Sequence, residues 1–177
     1  MTKKELEKII QEFKKDQYAS FDLFYQETAK GVYIFVYDIL KNREKTETVL
    51  QETYMQFIRI VDRCDKKQNV YNYLIPIARN IALNIYNKEE KHIIDHENDN
   101  NIKEDENKED LFYLLDYLEK LERQIVILHV FNKMRFRQIA KTLNKRLCAV
   151  IRLYNKAIKK LKKEVGKIWV KNALKNY

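Results

Sequence analysis

From Phe136 to Leu161 the chain reads FRQIAKTLNKRLCAVIRLYNKAIKKL, with apolar residues returning every three or four positions on both sides of a short polar break. Ile139, Ala140 and Leu143 give the first part an inner face, and Val150, Leu153, Tyr154, Ala157 and Leu161 give one to the second. Between them, Asn144-Lys145-Arg146 is too short and polar to be anything but a turn. Arg152, Lys156, Lys159 and Lys163 fall three or four apart on the side away from the apolar stripe. The spacing predicts a helix-turn-helix whose second helix is basic, a geometry that suits a DNA major groove.

The same period runs through most of the chain. Two glycines and one proline in 177 residues leave little turn chemistry for β-hairpins, so an all-α fold is expected. Leu6, Ile9, Ile10 and Phe13 space out a short amphipathic helix. From Ser20, a candidate N-cap, helical spacing continues through Phe24, Val32, Val36 and Leu40, with a break expected near Gly31. After an interruption at Asn42-Arg43, a helix over about 46–62 turns Val49, Leu50, Tyr54, Phe57 and Ile58 inward. The polar stretch 63–69 reads as a loop, and 70–87 as a further helix that Pro76 either starts or kinks.

Charge divides the chain. Residues 1–87 carry 14 basic and 12 acidic side chains, 88–110 carry 4 and 10, and 111–177 carry 17 and 4. The net charge of +9 therefore belongs to the last third, where a polyanionic partner would bind. Residues 88–110 lose periodicity and gain acid and Asn, the composition of a flexible linker. The expected organisation is two helical domains, 1–87 and 111–177, joined by that acidic linker, with supporting helices ahead of the helix-turn-helix in the second.

Several functions are disfavoured. Cys64 and Cys148 are too far apart in sequence to suggest a disulfide framework, which favours a reducing cytoplasm. Charged residues interrupt any leader near the start, and the apolar run 32–40 is too short to span a bilayer, so no membrane insertion is expected. His92 and His96 have the spacing of a metal pair, but no motif places a third ligand, so no metal and no cofactor is expected. Without a glycine-rich phosphate loop or a nucleophile elbow, an enzyme is not expected either.

Two signatures together carry a family resemblance. Thr46-Glu-Thr-Val-Leu-Gln-Glu-Thr-Tyr-Met is followed by Tyr73-Leu-Ile-Pro-Ile-Ala-Arg-Asn80. Farther on come Leu118 and Leu121, Gln138-Ile-Ala, Leu143, Val150 and Lys156-Ala157. In this order they resemble the second and fourth conserved regions of bacterial sigma factors of the extracytoplasmic-function type. Thr48, Asn84 and Asn87 depart from the residues that family often has, which marks a divergent member.

The resemblance implies a transcription initiation factor that binds core RNA polymerase and promoter DNA, with a possible anti-sigma factor as a further partner. Glu47, Gln51, Glu52 and Gln56 would then meet the polymerase clamp. Lys66, Lys67, Gln68, Asn69, Tyr71, Tyr73, Arg79, Asn80 and Asn84 would handle the minus-ten element, with tyrosines stacking, asparagines reading base edges and cations holding phosphates. Arg146, Arg152, Asn155, Lys156 and Lys159 would contact the minus-thirty-five element. Two other readings stand beside this one: a helix-turn-helix regulator acting without polymerase, and a sigma-like interaction protein.

Overall fold

The computed structural model describes residues 11–12, 21–65, 68–93 and 114–175, with side chains described up to Lys88 and again from Leu114 to Val165. Every regular element among them is helical: α1 (Phe21–Leu40), α2 (Arg43–Ile60), α3 (Tyr71–Ile93), α4 (Lys120–Val126), α5 (Phe136–Thr142) and α6 (Leu147–Lys175). The expectation of an all-α fold is met. The chain divides into two compact units, one of residues 1–100 with Asn132–Met134, the other of 101–131 with 135–177.

In the first unit, α1, α2 and α3 each pack against the other two. Phe24 and Phe57 stack with centroids 5.2 Å apart, and Tyr54 meets Phe24 edge-on at 5.9 Å. The Tyr54 hydroxyl cannot be left bare inside this core. It lies 2.7 Å from Thr28 Oγ1, whose own proton goes to the Phe24 carbonyl at 2.6 Å, so Tyr54 is the donor to Thr28. Burial pushes the Tyr54 pKa up, and the hydroxyl stays protonated.

Helix ends differ from the sequence expectations for local reasons. Asn42 does not interrupt a pattern but starts α2: its side chain accepts the Lys45 N–H at 3.0 Å, so the helix begins three residues earlier than the apolar spacing indicates. A single 3-10 turn, Val61–Arg63, closes it. Pro76 does not start α3 but lies inside it, and α3 runs on to Ile93, six residues into the stretch read as linker. Of the N-terminal helix expected around Leu6–Phe13 only Gln11 and Glu12 are described, both helical, and the candidate cap Ser20 and the rest of the linker fall outside the described residues.

Gly31 is no helix break either. It sits buried within an unbroken α1 and has no positive φ. Its role is close approach: a Cβ there would lie 2.7 Å from Tyr71 Oη and 2.9 Å from Tyr71 Cε1. Gly31→Ala is accordingly expected to destabilise the first unit by about 1–3 kcal/mol, the usual cost of overpacking. Urea unfolding followed by circular dichroism measures this, and adding Tyr71→Phe, which removes the nearest atom, should recover part of the loss.

In the second unit, α4 passes directly into a π-helical turn, Ile127–Phe131, and α5 and α6 follow. Ile125, Leu128, Ile139, Leu143, Val150 and Ala157 are buried together. His129 stacks on Phe136 at 4.2 Å, and Tyr154 closes on both rings at 4.8 and 5.0 Å, fastening α6 to the preceding elements. The turn between α5 and α6 depends on Asn144, which adopts φ 51, a left-handed conformation that Asn tolerates better than most residues. The Lys145 N–H then bonds back to the Ala140 carbonyl at 2.9 Å, satisfying a helix-end acceptor.

Candidate nucleic-acid and partner interfaces

Three surfaces carry the side chains singled out in the sequence. On α2, a residue every 100° sets Glu44, Glu47, Thr48, Gln51, Met55 and Arg59 on the outer side, and all six are exposed. Glu47 is paired with Arg43 at 3.1 Å in a solvated i, i+4 contact that contributes little to stability. Glu52 and Gln56 lie at the edge, half-buried, with the Gln56 amide donating to Glu52 at 2.8 Å. Of the four residues predicted to dock on a partner, Glu47 and Gln51 thus face outward, while Glu52 and Gln56 bond to each other on the flank.

A shallow groove of about 390 Å³ runs beside this face, lined by Tyr25, Lys30, Tyr33, Glu47, Leu50 and Gln51 among others. Met55 was missed from sequence. At 54% exposed it is the most apolar residue on the outer side of α2. A methionine one helical turn from Gln51 could have signalled it, because its angle lies away from the Tyr54–Phe57 core stripe.

The second surface is α3 and the loop before it. Tyr73, Pro76, Asn80, Asn84 and Asn87 recur at three-and-four spacing on one side, the last four exposed and Tyr73 half-buried. Amide side chains offer both donors and acceptors, which suits base edges. Tyr73 also anchors the loop, since its hydroxyl accepts the Asp65 N–H at 2.9 Å. Asn69 caps α3 by accepting the Tyr71 N–H at 3.1 Å, and Gln68 is exposed next to it. Arg79 is half-buried on the flank. Lys66 and Lys67 fall outside the described residues.

Tyr71 takes a different part from the one expected. It points into the bundle rather than along the Asn80–Asn84 side: its hydroxyl donates to the Thr28 carbonyl at 3.3 Å and its ring covers Gly31. Burial, with a smaller contribution from the Glu27 charge, raises its pKa to about 12. A ring held this way packs α3 against α1.

The third surface is α6. Cys148, Ile151, Arg152, Asn155, Lys159 and Lys163 line a trough of about 940 Å³ together with Lys156 and Lys160. Arg146, exposed in the turn, accepts the Val150 N–H on its carbonyl at 3.1 Å and so sits at the helix start. The structure brings Arg152, Lys159 and Lys163 to one exposed face, as the spacing predicts, with Asn155 beside them.

Lys156 is the exception among the basic residues. Its ammonium lies 3.1 Å from Glu119 and 3.0 Å from Glu122, and Lys160 meets the same two carboxylates at 3.1 and 2.6 Å. Glu122 is buried, with the Glu119 N–H donating to it at 3.3 Å. The pair of lysines therefore clamps α6 to the start of α4. Lys156, its side chain 51% exposed, thus joins α6 to α4 as well as facing solvent.

This clamp makes the second unit pH-sensitive. Burial pushes the Glu122 carboxyl up, but hydrogen bonds from Lys160, Lys156 and the Glu119 backbone outweigh it and leave it below its ordinary value. Hydrogen bonds from Lys156 and Lys160 likewise lower Glu119. Groups with depressed folded-state values contribute stability that is complete above the ordinary value of 4.5 and is lost as pH falls through the lowered ones. Lys156 and Lys160 are raised, chiefly by hydrogen bonds to Glu122, so their contribution fades only above their ordinary 10.5. Protection of the α6 amides against hydrogen exchange, taken relative to the intrinsic exchange rate at each pH, should fall on acidification below about pH 4.5, and Glu122→Gln should flatten that dependence.

Both cysteines are free, Cys64 buried and Cys148 exposed. Among the described residues no cluster of His, Cys, Asp or Glu could hold a metal, and the side chains of His92 and His96 are not among them. No described helix is long and apolar enough to cross a membrane.

Residues 24–92 match the Sigma-70 region 2 family, a span that runs from the first turn of α1 to the end of α3. That span is thus similar to sigma region 2, and the resemblance of the chain to extracytoplasmic-function sigma factors is borne out. A curated relative, the ECF RNA polymerase sigma factor SigX of Bacillus subtilis (strain 168), is 25% identical over 71 residues, covering 40% of this chain. The matched part spans only 37% of that relative's length. Two solved structures share the fold. One is CnrH in complex with the cytosolic domain of CnrY, with TM-score 0.61 and 13% identity over 92% of this chain and 97% of the other. The second is the sigma factor RpoE in complex with the anti-sigma factor NepR from Bartonella quintana, with TM-score 0.61 and 17% identity over 81% and 96%.

Proposed function

We propose that this chain is a transcription initiation factor that binds core RNA polymerase and directs it to promoters. The observation that carries the reading is the region 2 match over residues 24–92, whose three helices present an outward polar face on α2 and an asparagine stripe on α3. In this reading Gln51, Met55 and Glu47 dock on the polymerase. Tyr73, Asn80 and Asn84, with Lys66, Lys67, Gln68, Asn69 and Arg79 at its margin, hold the opened minus-ten strand.

The second unit supplies the upstream anchor. Asn155, Arg152 and Lys159 on α6, with Arg146 in the turn before it, extend toward the minus-thirty-five element, in the manner of the reading helix of a helix-turn-helix. Lys156 supports them through Glu119 and Glu122. The residues between the units act as an acidic linker. The protein works in the cytoplasm and has no catalytic step of its own.

An anti-sigma factor is a further partner in this reading. RpoE was solved with one, and CnrH with the cytosolic domain of CnrY. Pull-down with core RNA polymerase, followed by run-off transcription on a promoter library, tests the proposal. Binding without initiation points to an interaction protein, and DNA binding without polymerase capture points to a regulator acting alone.

A further inference from the structure

Leu147 and Ile151 stand one turn apart at the start of α6, each 38% exposed. Neither belongs to the core of the unit, which Val150 and Ala157 fill at 0% exposure from about a quarter turn around the helix. Their neighbours on the outer face are Cys148, Arg152 and Asn155, all exposed. Two branched aliphatic side chains thus sit at the tip of a helix whose other outward groups are, apart from Cys148, cationic or amide.

We propose that Leu147 and Ile151 read the 5-methyl group of thymine in the upstream promoter element. The inference rests on the reading of α6 as a major-groove helix. The floor of that groove is otherwise a pattern of hydrogen-bond donors and acceptors, and the thymine methyl is the one apolar group it displays. An aliphatic side chain gains there what it cannot gain from guanine, adenine or cytosine edges. Asn155, one turn beyond Ile151, and Arg152, next to it in the chain, supply the polar contacts to neighbouring bases, for which amide and guanidinium groups are suited. The positive charge around the pair selects a polyanion over an apolar protein surface, because Arg152, Lys159 and Lys163 would have to be desolvated against the latter. Leu147 and Ile151 are in this way specificity-determining residues, where the lysines supply position and affinity.

The test uses the full-length chain bound to core RNA polymerase and a random-sequence duplex pool. Each thymine of the selected upstream element is then replaced by deoxyuridine, which keeps every hydrogen-bonding group and lacks only the methyl. Uracil at one or two positions is expected to weaken binding about fourfold per methyl, the equivalent of one buried methylene. In Ile151→Ala and Leu147→Ala the same replacement should cost little, because the aliphatic partner of the methyl is already gone, whereas a merely structural role would leave the uracil effect unchanged. Selected duplexes that bind equally well with uracil at every position overturn the inference and leave the DNA reading of α6 standing. Failure to enrich any sequence overturns both.

Discussion

A chain carrying Gln51→Lys and Met55→Lys is expected to bind core RNA polymerase at least about 30-fold more weakly than the unaltered protein, with its unfolding transition unchanged. The size follows from removing a central apolar anchor and its polar neighbour from one interface, where such residues are typically worth about 2 kcal/mol or more. Stability should hold because both positions are exposed, Met55 by 54%, and Lys is a good helix former. Lysines there would also oppose the basic partner surface that an acidic α2 face, with Glu44 and Glu47, is suited to meet. A fluorescence-anisotropy titration of labelled chain with core polymerase reads the effect. Undiminished affinity would remove α2 from the interface.

The second large effect concerns DNA. Arg152→Ala with Lys159→Ala should lower the affinity of the polymerase-bound chain for its upstream element and reduce the slope of log affinity against log salt by about one for each phosphate no longer neutralised. Lys156→Ala should behave differently, although it lies on the same stripe. Its ammonium is engaged by Glu119 and Glu122, so its removal should speed hydrogen exchange in α6 and alter the salt slope less. An unchanged slope in the Arg152 and Lys159 variant would mean that the exposed face of α6 does not lie on DNA.

The contrast between Lys159 and Lys156 shows what is legible in the sequence and what is not. Helical spacing is a local property, so the apolar stripes that build α1, α2, α3, α5 and α6 can be read directly, and so can the turn at Asn144. The partners of Lys156 lie more than thirty residues earlier in the chain, and no local pattern reveals that two carboxylates at the start of α4 meet it. Tyr71 and Tyr73 pose the same difficulty two residues apart: α3 turns one toward Gly31 and the other toward the loop, a choice made by packing. Helix ends are hard to place where polar residues serve as caps. Asn42 looks like an interruption because its side chain replaces a backbone acceptor, and α3 continues past Asn87 to Ile93 where apolar periodicity has already faded.

Met55, Leu147 and Ile151 are obscured for the opposite reason. Residue type alone assigns them to a core, and only the helical angle, fixed by what the rest of the helix buries, turns them to solvent. Exposed apolar residues within polar faces are the part of the candidate surfaces that the structure adds. They also discriminate among partners more sharply than the lysines do, since charge attracts any polyanion.

Reconstituted run-off transcription tests the central claim most directly. Core RNA polymerase free of any other sigma factor, supplied with this chain and a promoter library, should give discrete transcripts, and these should disappear when Asn80 and Asn84 are both replaced by alanine although polymerase binding persists. Transcripts absent with the unaltered chain, despite stable capture of polymerase, would contradict the account.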